Sequence, residues 1–429
     1  MDIIEIINKK KSGKSLSKQE IDFFVQGVCN GQIKDYQTTS FLMAVCLKGM
    51  TSQETTDLTL AMAKSGEVLD LSDVGDCVDK HSTGGVSDTT TLVLVPVLAS
   101  LGVKVAKMSG RSLGFTGGTA DKMEVFEGYN TEIDAETFKK LIKQNGASIV
   151  SQSANFAYAD KILYKLRSDS ATVESKSLIA SSIMSKKIAC GAKILVLDCK
   201  FGSGAFMKTK KDALSLAKLM VQIGKNAGIK TIAVISNMNQ PLTNFVGNNF
   251  EVFSALQVLK GQKNNLQKVA TAIAVEVLLL DGKAKNQTEA TKMVENCLQN
   301  GSALEKLRQI VTAQGGSDRY IDAPQNLLKT NNHIDVLSEK KGVVSKIETD
   351  KIGYISHNLQ KKDGILSRQD NVGIILDKML GDNVKVGDKL ATIYYNDCDN
   401  IDLLGQELKN CFAIGKKFLP QALIEGVVK

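Results

Sequence analysis

A chain of 429 residues, 43% apolar and 23% charged, is long enough for two or three domains with a sizeable core and excludes a disordered or fibrous protein. The net charge of +8 is spread along the whole length and aromatic residues make up only 5%. That argues against a nucleic-acid surface and leaves an anionic small molecule as the natural partner.

Residues 1–66 read as helices. Ile3, Ile4, Ile6 and Ile7 recur at helical spacing, after early acids (Asp2, Glu5) that rule out a signal peptide. Ser17-Lys18-Gln19-Glu20 is a capping box ahead of Ile21 to Val25, and Gly31 is its stop. Thr51-Ser52-Gln53-Glu54 is a second one, closed by Ser65-Gly66. From residue 74 short apolar strands alternate with helices: 74–79, 102–107, 147–151, Ile194 to Leu197 and Thr231 to Ile235. Thr89 to Val95 begins a helix. Asp212 to Ile223 is another, with Gly224 as its stop. Such alternation predicts a mostly parallel sheet with both faces covered. A helical stretch at 155–191 interrupts it and is expected to pack back on the first helices. Residues 250–316 are helical, punctuated by Gly261, Gly282 and Gly301. From 342 short strands with glycine turns take over: Gly342 to Ile347, Val372 to Leu376, Val384 to Asp388 and Leu390 to Tyr394. The longest apolar runs, such as Leu92 to Leu101, fall short of the ~20 residues a membrane span needs.

The expected class is thus α/β plus an all-α domain plus a β-rich C-terminal domain, with a mixed, mostly parallel sheet beside a discontinuous helical domain. The expected divisions are 1–66 with 155–191, 74–150 with 192–335, and 340–429. The eight cysteines (Cys29, Cys46, Cys77, Cys190, Cys199, Cys297, Cys398, Cys411) form no C-x-x-C pair, which fits free thiols in a reducing cytoplasm.

The chemistry concentrates in two stretches. The run Val74-Gly75-Asp76-Cys77-Val78 reads as a strand that enters Asp79-Lys80-His81-Ser82-Thr83-Gly84-Gly85. A second strand at Val103 to Lys107 enters Ser109-Gly110-Arg111-Ser112-Leu113-Gly114-Phe115-Thr116-Gly117-Gly118-Thr119. Glycines let backbone approach an anion, free N–H groups point at it, and a following helix favours negative charge. A third glycine loop, Lys200 to Gly204, follows a later strand. The Walker A order and the G-x-G-x-x-G fingerprint are both absent, so neither a nucleoside triphosphate nor NAD is indicated. Lys80 and Lys107 can supply charge, and Ser82, Thr91, Ser109 and Thr119 can donate hydrogen bonds. His81 lies inside the loop, whereas His333 and His357 sit in polar surroundings and read as surface residues. Ser182 and Lys186 share a helix face, and with Arg167 could hold a planar polar group across a cleft.

These stretches resemble the paired motifs of the thymidine and pyrimidine-nucleoside phosphorylase family. The likeness continues through Leu166-Arg167, Ser182 to Lys187, Val196-Leu197-Asp198, Gly204 to Lys208 and Met238 to Leu242, and covers essentially the whole chain in order. It implies reversible phosphorolysis of pyrimidine nucleosides (thymidine, deoxyuridine, uridine) to free base and (deoxy)ribose 1-phosphate. It implies phosphate ligands at Lys80, Ser82, Thr91, Lys107, Ser109 and Thr119, with Met108 lending backbone. The pyrimidine would be held by Arg167, Ser182 and Lys186, with His81 near its 2-oxo group. Inorganic phosphate is then the co-substrate, no organic cofactor is needed, and a homodimer through the helical domain is implied. Family members can carry K⁺, and the matching positions are Ser87, Thr89, Leu242, Phe245 and Ser254.

The chain departs from the family pattern at several of these places. Ser87 stands for a glycine, Phe115 for a histidine, Ser168-Asp169 for Asp-Val, Phe201 for a smaller residue and Ser254 for the glutamate of the cation site. Phe115 lies near the implied sugar position. Glu348-Thr349-Asp350-Lys351 resembles the lysine-bearing hairpin of lipoyl and biotinyl carrier domains, although the family tail has that shape without modification. Two rivals remain. A phosphoribosyltransferase of similar architecture, such as the anthranilate enzyme, would need paired acids for Mg²⁺, which the glycine loops lack, and would lack the β tail. A catalytically weakened member acting as a binding protein is motivated by Phe115, Ser87 and Ser254.

Overall fold

The computed structural model describes residues 1–112, 114–152, 155–330, 332–362, 365–366, 371–396, 398 and 400–429; Leu113 of the second glycine stretch lies outside the described residues. Four helices open the chain: α1 (Ile3–Lys11), α2 (Lys18–Cys29), α3 (Asp35–Lys48) and α4 (Ser52–Ala63). Both capping boxes form. Ser17 N donates to Glu20 at 2.6 Å and Thr51 N to Glu54 at 2.8 Å. Glu54 also accepts from Lys10 Nζ at 2.7 Å and Leu16 N at 2.8 Å. A buried capping carboxylate therefore also ties α4 to α1.

The α/β part follows as β1 (Val78–Ser82), α5 (Thr90–Ser100), β2 (Val105–Ser109), α6 (Thr119–Met123), α7 (Ala135–Asn145) and β3 (Ala147–Ser151). Next come α8 (Tyr158–Asp169) and α9 (Lys176–Ala189). The chain then returns to β4 (Ile194–Phe201), α10 (Lys210–Asn226), β5 (Lys230–Asn237) and the short β6 (Phe245–Val246). Four further helices complete this region: α11 (Asn248–Leu259), α12 (Asn265–Leu280), α13 (Gln287–Gln299) and α14 (Ser302–Ala313). Ala159, Leu163, Leu166 and Leu178 from α8 and α9 enter the same core as Phe24, Phe41 and Leu58 of the opening helices. Strands β1 to β5 are parallel, in the order β5-β4-β1-β2-β3.

Two strands begin later than their apolar runs suggest. Gly75 at φ 98° breaks the extended path before β1, so Asp79, Lys80, His81 and Ser82 lie on the strand itself. Likewise Lys107, Met108 and Ser109 belong to β2. Charged residues can extend a buried strand here because they pair with one another, as described below. Gly224 does not stop α10, which runs on to Asn226. A Cβ at Gly224 would lie 2.0 Å from Thr231 Oγ1. The glycine is there for close helix–strand approach, and Gly228 at φ 75° turns the chain instead.

After α15 (Arg319–Asp322) the tail contains β7 (Asn332–Leu337), β8 (Gly342–Ile347), α16 (Thr349–Leu359), β9 (Lys361–Lys362) and β10 (Ile365–Leu366). It continues with β11 (Gly373–Leu376), β12 (Asn383–Val384), β13 (Lys389–Tyr395), α17 (Ile401–Asn410), β14 (Phe412–Gly415) and β15 (Ile424–Val428). Sheets ordered β6-β11-β13-β7 and β12-β8-β14 make it β-rich. Two expectations are corrected. Lys351 is not at a hairpin tip: it lies in the first turn of α16 and pairs back to Glu348, the residue just before that helix. The end of the 340–429 stretch also leaves the tail, because β15 adds antiparallel to β5 of the central sheet. No helix among the described residues is long and apolar enough to cross a membrane.

On propensity alone, Gly224→Ala should favour α10 by about 1 kcal/mol. The contact with Thr231 reverses the sign, so a net loss of about 1–3 kcal/mol is expected in urea denaturation. A more stable variant would mean that the helix–strand spacing is not fixed by this glycine.

Candidate active site

The carboxyl ends of β1 and β2 lie side by side and carry Lys80-His81-Ser82 and Lys107-Met108-Ser109. Ligands of open parallel sheets bind beyond such ends. The charges there are buried, and buried charges persist only when paired. Asp79 receives Lys187 Nζ at 2.8 Å and faces Lys107 Nζ at 3.6 Å. Both lysines also donate to the Met108 carbonyl, at 2.7 and 2.8 Å. On β4, Asp198 pairs with Lys200 at 2.9 Å and stands 3.5 Å from Lys80. Its other oxygen accepts from Ser236 Oγ at 2.7 Å. Asp88 accepts from Ser82 Oγ at 2.5 Å and Thr90 Oγ1 at 2.6 Å. Lys122 pairs with Glu251 at 2.7 Å and donates to the Asp88 carbonyl at 3.0 Å.

One ammonium stands apart. Lys80 is 1% exposed, yet its Nζ has no hydrogen-bond partner among the described residues. Burying an ammonium without hydrogen bonds is costly, and the carboxylate of Asp198 faces this one at 3.5 Å.

The cluster also shifts its members' protonation. Burial, reinforced by the neighbouring Lys187 and Lys80 charges, lowers Lys107 to about 7 despite Asp79. For Lys187 and Lys200 burial opposes the charge, but the carboxylates of Asp79 and of Asp198 with Asp88 outweigh it and push both up. Asp88 is likewise held far below the usual carboxylate range, with Lys200 and Lys80 overcoming burial. His81 is pushed well below its ordinary value by burial, then by Lys187, Lys107, Lys80 and Lys186. It is a neutral imidazole near pH 7, able to donate one hydrogen bond.

A second group forms on the helical side. Lys186 donates to Ser182 Oγ at 3.0 Å, one turn back on α9, and pairs with Asp160 of α8. Arg167 is turned toward main chain: it donates to the carbonyls of Val173 at 2.7 Å, Leu178 at 3.2 Å and Thr172 at 3.4 Å. The guanidinium therefore braces the α8–α9 connection, with two of its five N–H donors left over. Consecutive residues of α9 point different ways, so Lys186 serves this group while Lys187 reaches Asp79 on the sheet.

Of the remaining expected residues, Thr91 is buried in the first turn of α5, and Ser109 and Thr119 are half-buried at the end of β2 and the start of α6. His333 is exposed, but His357 is half-buried rather than on the surface. Phe201 is buried in the core shared with α9 and α10. The positions matching a cation site do not fit one as described. Ser254 supplies no carboxylate, Ser87 Oγ is engaged by Thr243 Oγ1 at 2.8 Å, and the Phe245 carbonyl accepts from Thr243 at 3.3 Å. Of these positions only Thr89 has a buried side-chain oxygen, Oγ1, without a partner among the described residues. A cavity of about 530 Å³ lies elsewhere, between α2 and α4, and is lined by Lys18, Asp22, Gln26, Cys29, Lys64 and Ser65, none of them an expected ligand. The sequence reading missed Asp79, Asp88, Asp160, Asp198, Lys187 and Lys200 as members of the site. The available cue was a charge inside an apolar strand, as in Val196-Leu197-Asp198-Cys199-Lys200-Phe201, where burial demands a partner.

Comparison with known proteins agrees with this layout. Residues 4–66 match the helical bundle domain of the glycosyl transferase family and residues 74–304 its a/b domain. Residues 343–415 match the pyrimidine nucleoside phosphorylase C-terminal domain. A pyrimidine-nucleoside phosphorylase of Staphylococcus haemolyticus (strain JCSC1435) is 45% identical over 434 residues, covering 100% of both chains. That of Staphylococcus aureus (strain MSSA476) is 44% identical over the same span and coverage. Anthranilate phosphoribosyltransferase from Thermus thermophilus shares the fold, with a TM-score of 0.61 at 18% identity over 73% of this chain and 99% of that one.

An oxyanion whose own charge is constant, such as sulfate, should bind with a pH dependence set by Lys107. The ammonium is present below pH about 7 and lost above it. Affinity in calorimetric titration should therefore be level at lower pH and fall by up to about tenfold per pH unit above that point. Lys107→Met should flatten the profile, and an unchanged profile would exclude Lys107 from the anion site.

Proposed function

The chain belongs to the pyrimidine-nucleoside phosphorylases of the glycosyl transferase family, and we propose that its reaction is divided between the buried lysine cluster, which takes phosphate, and the α8–α9 group, which takes the base. The reaction is the reversible phosphorolysis of pyrimidine nucleosides to free base and (deoxy)ribose 1-phosphate. The buried Nζ of Lys80, without a hydrogen-bond partner among the described residues, is the observation that carries the phosphate assignment. Lys107, Ser82, Thr91, Ser109 and Thr119 complete the cradle, with Met108 backbone behind it. Phosphate oxygen attacks the anomeric carbon, the glycosidic C–N bond breaks, and its electron pair leaves on the base. Cations and donors at the base oxygens favour that departure. Lys186, Ser182 and the two free donors of Arg167 serve there, and neutral His81 donates to the 2-oxo group. Asp160 holds Lys186 in place. Closure of the helical part on the sheet brings phosphate and sugar into line and excludes water.

The proposed divisions, 1–66 with 155–191, 74–150 with 192–335, and 340–429, draw support from the core that the opening helices share with α8 and α9, although α9 also packs on β4 and β5 and the tail core takes in Val86, Phe115 and Val246. Free thiols at all eight cysteines favour a reducing compartment, the cytoplasm. The apolar stripe of Tyr36, Met43 and Leu47 on α3, 71%, 37% and 73% exposed, supports a homodimer through the helical part. Sedimentation should give a dimer, and Tyr36→Asp with Leu47→Asp should shift it to monomer; an unchanged dimer would place the interface elsewhere.

Incubation with thymidine, deoxyuridine or uridine should release base only when phosphate is present, followed by ultraviolet absorbance. No phosphate-dependent release from any of the three would overturn the reading and leave a binding protein. Mg²⁺-dependent consumption of a sugar pyrophosphate would favour the phosphoribosyltransferase. Lys186→Met should lower kcat/KM by at least about a hundredfold while phosphate binding persists.

A further inference from the structure

The three glycine-rich loops at the carboxyl ends of β1, β2 and β4 meet at one element of the tail, helix α16. We propose that α16 is a positioning element for the phosphate loops, with Gly353 as its contact point. The inference rests on the phosphate reading above and extends it to a domain with no other part in the chemistry.

Gly353 sits inside a helix, where glycine is among the least favourable residues. Its φ is ordinary, so turn geometry does not explain it. Space does. A Cβ there would lie 2.5 Å from the Phe115 carbonyl oxygen and 2.8 Å from Val86 Cγ2. Val86 belongs to the first loop and Phe115 to the second. Both side chains are buried, 1% and 8% exposed, in the hydrophobic core of the tail together with Ile347, Ile352 and Ile355. Each loop thus pushes one apolar side chain into the tail, and α16 lies directly on the backbone between them.

The third loop is held at the start of the same helix. A Cβ at Gly204 would come within 2.4 Å of Thr349 Cγ2. Ser203 Oγ donates to the Ile347 carbonyl at 2.9 Å, and Thr349 Oγ1 donates to the Asn239 carbonyl at 3.1 Å. Lys208 pairs with Asp350 at 2.8 Å, and its Nζ lies 5.5 Å from the centroid of the Phe115 ring. Phe206 and Tyr354 flank that ring at 5.1 and 5.4 Å. Phe115, where the family pattern has histidine, is therefore the apolar pin by which this chain fastens its second loop to the tail. Fixed loops keep backbone N–H groups and hydroxyls aimed at the phosphate before it arrives, which is the condition for preorganised binding.

Gly353→Ala should raise the KM for phosphate about tenfold and leave the nucleoside KM within about twofold. Hydrogen exchange should speed up at residues 83–87 and 114–118 and stay unchanged in β4 and β5. Tyr354→Ala, at a 50% exposed position, should act in the same direction by about threefold. It decides the matter by the same readouts if Gly353→Ala does not fold. An unchanged phosphate KM and unchanged loop exchange, or equal losses for both substrates, would overturn the proposal. Lys80→Met separates the two layers. If it retains ordinary phosphate use, the phosphate assignment fails, while the exchange measurement still judges whether α16 holds the loops.

Discussion

Positive charge buried at the end of a parallel sheet constrains this molecule more than any other feature. Lys80, Lys107, Lys187 and Lys200 are all nearly inaccessible, and none could remain charged there without help. Asp79 and Asp198 provide it from inside the sheet, and Asp88 from the loop after β1. The pairing is left incomplete by the geometry: Lys80 Nζ faces Asp198 at 3.5 Å but has no hydrogen-bond partner among the described residues, and burial lowers Lys107 to about 7. On the proposed reading, an arriving phosphate dianion is the partner for both.

The surroundings of this cluster are tied together by parts that are distant in sequence. The short β6, from the α/β region, pairs with β11 of the tail, and β15 from the tail pairs with β5 of the central sheet. Each part lends a strand to the other, so the tail and the α/β region are joined by two strand pairings. Ahead of those two strands in the tail, α16 lies on the glycine loops. The helical part is connected differently. Lys187 reaches from α9 to Asp79, while its neighbour Lys186 stays with Asp160 and Ser182. One helix therefore touches both halves of the proposed reaction, and any change in its position is felt by the phosphate cluster and the base group together.

Much of this was legible in the chain. Capping boxes at Ser17 and Thr51 require only local hydrogen bonds, and both form. Alternating apolar strands and helices announced the parallel sheet, because a strand buried on both faces needs a continuous apolar run. The starts of β1 and β2 were not legible. Their charged residues look like loop when read singly, and only the pairing of Asp79 with Lys187, more than a hundred positions later, makes them strand. Gly224 looked like a helix stop for the same reason: the contact that explains it, Thr231, lies across the helix–strand interface.

What the sequence determined by itself, then, was the class of fold, the family, and which charged and hydroxyl residues gather at the ends of β1 and β2. These follow from local periodicity, capping and motif spacing. Tertiary structure alone decided that Arg167 braces a turn with most of its donors, that β15 crosses back to the central sheet, that Lys351 begins a helix rather than crowning a hairpin, and that Gly353 and Phe115 fasten the tail to the loops. Each of these depends on a partner far away in the chain. Burial selects that partner through the cost of an unpaired charge, an unpaired strand edge or a Cβ with no room, and none of those costs exists until the chain has folded.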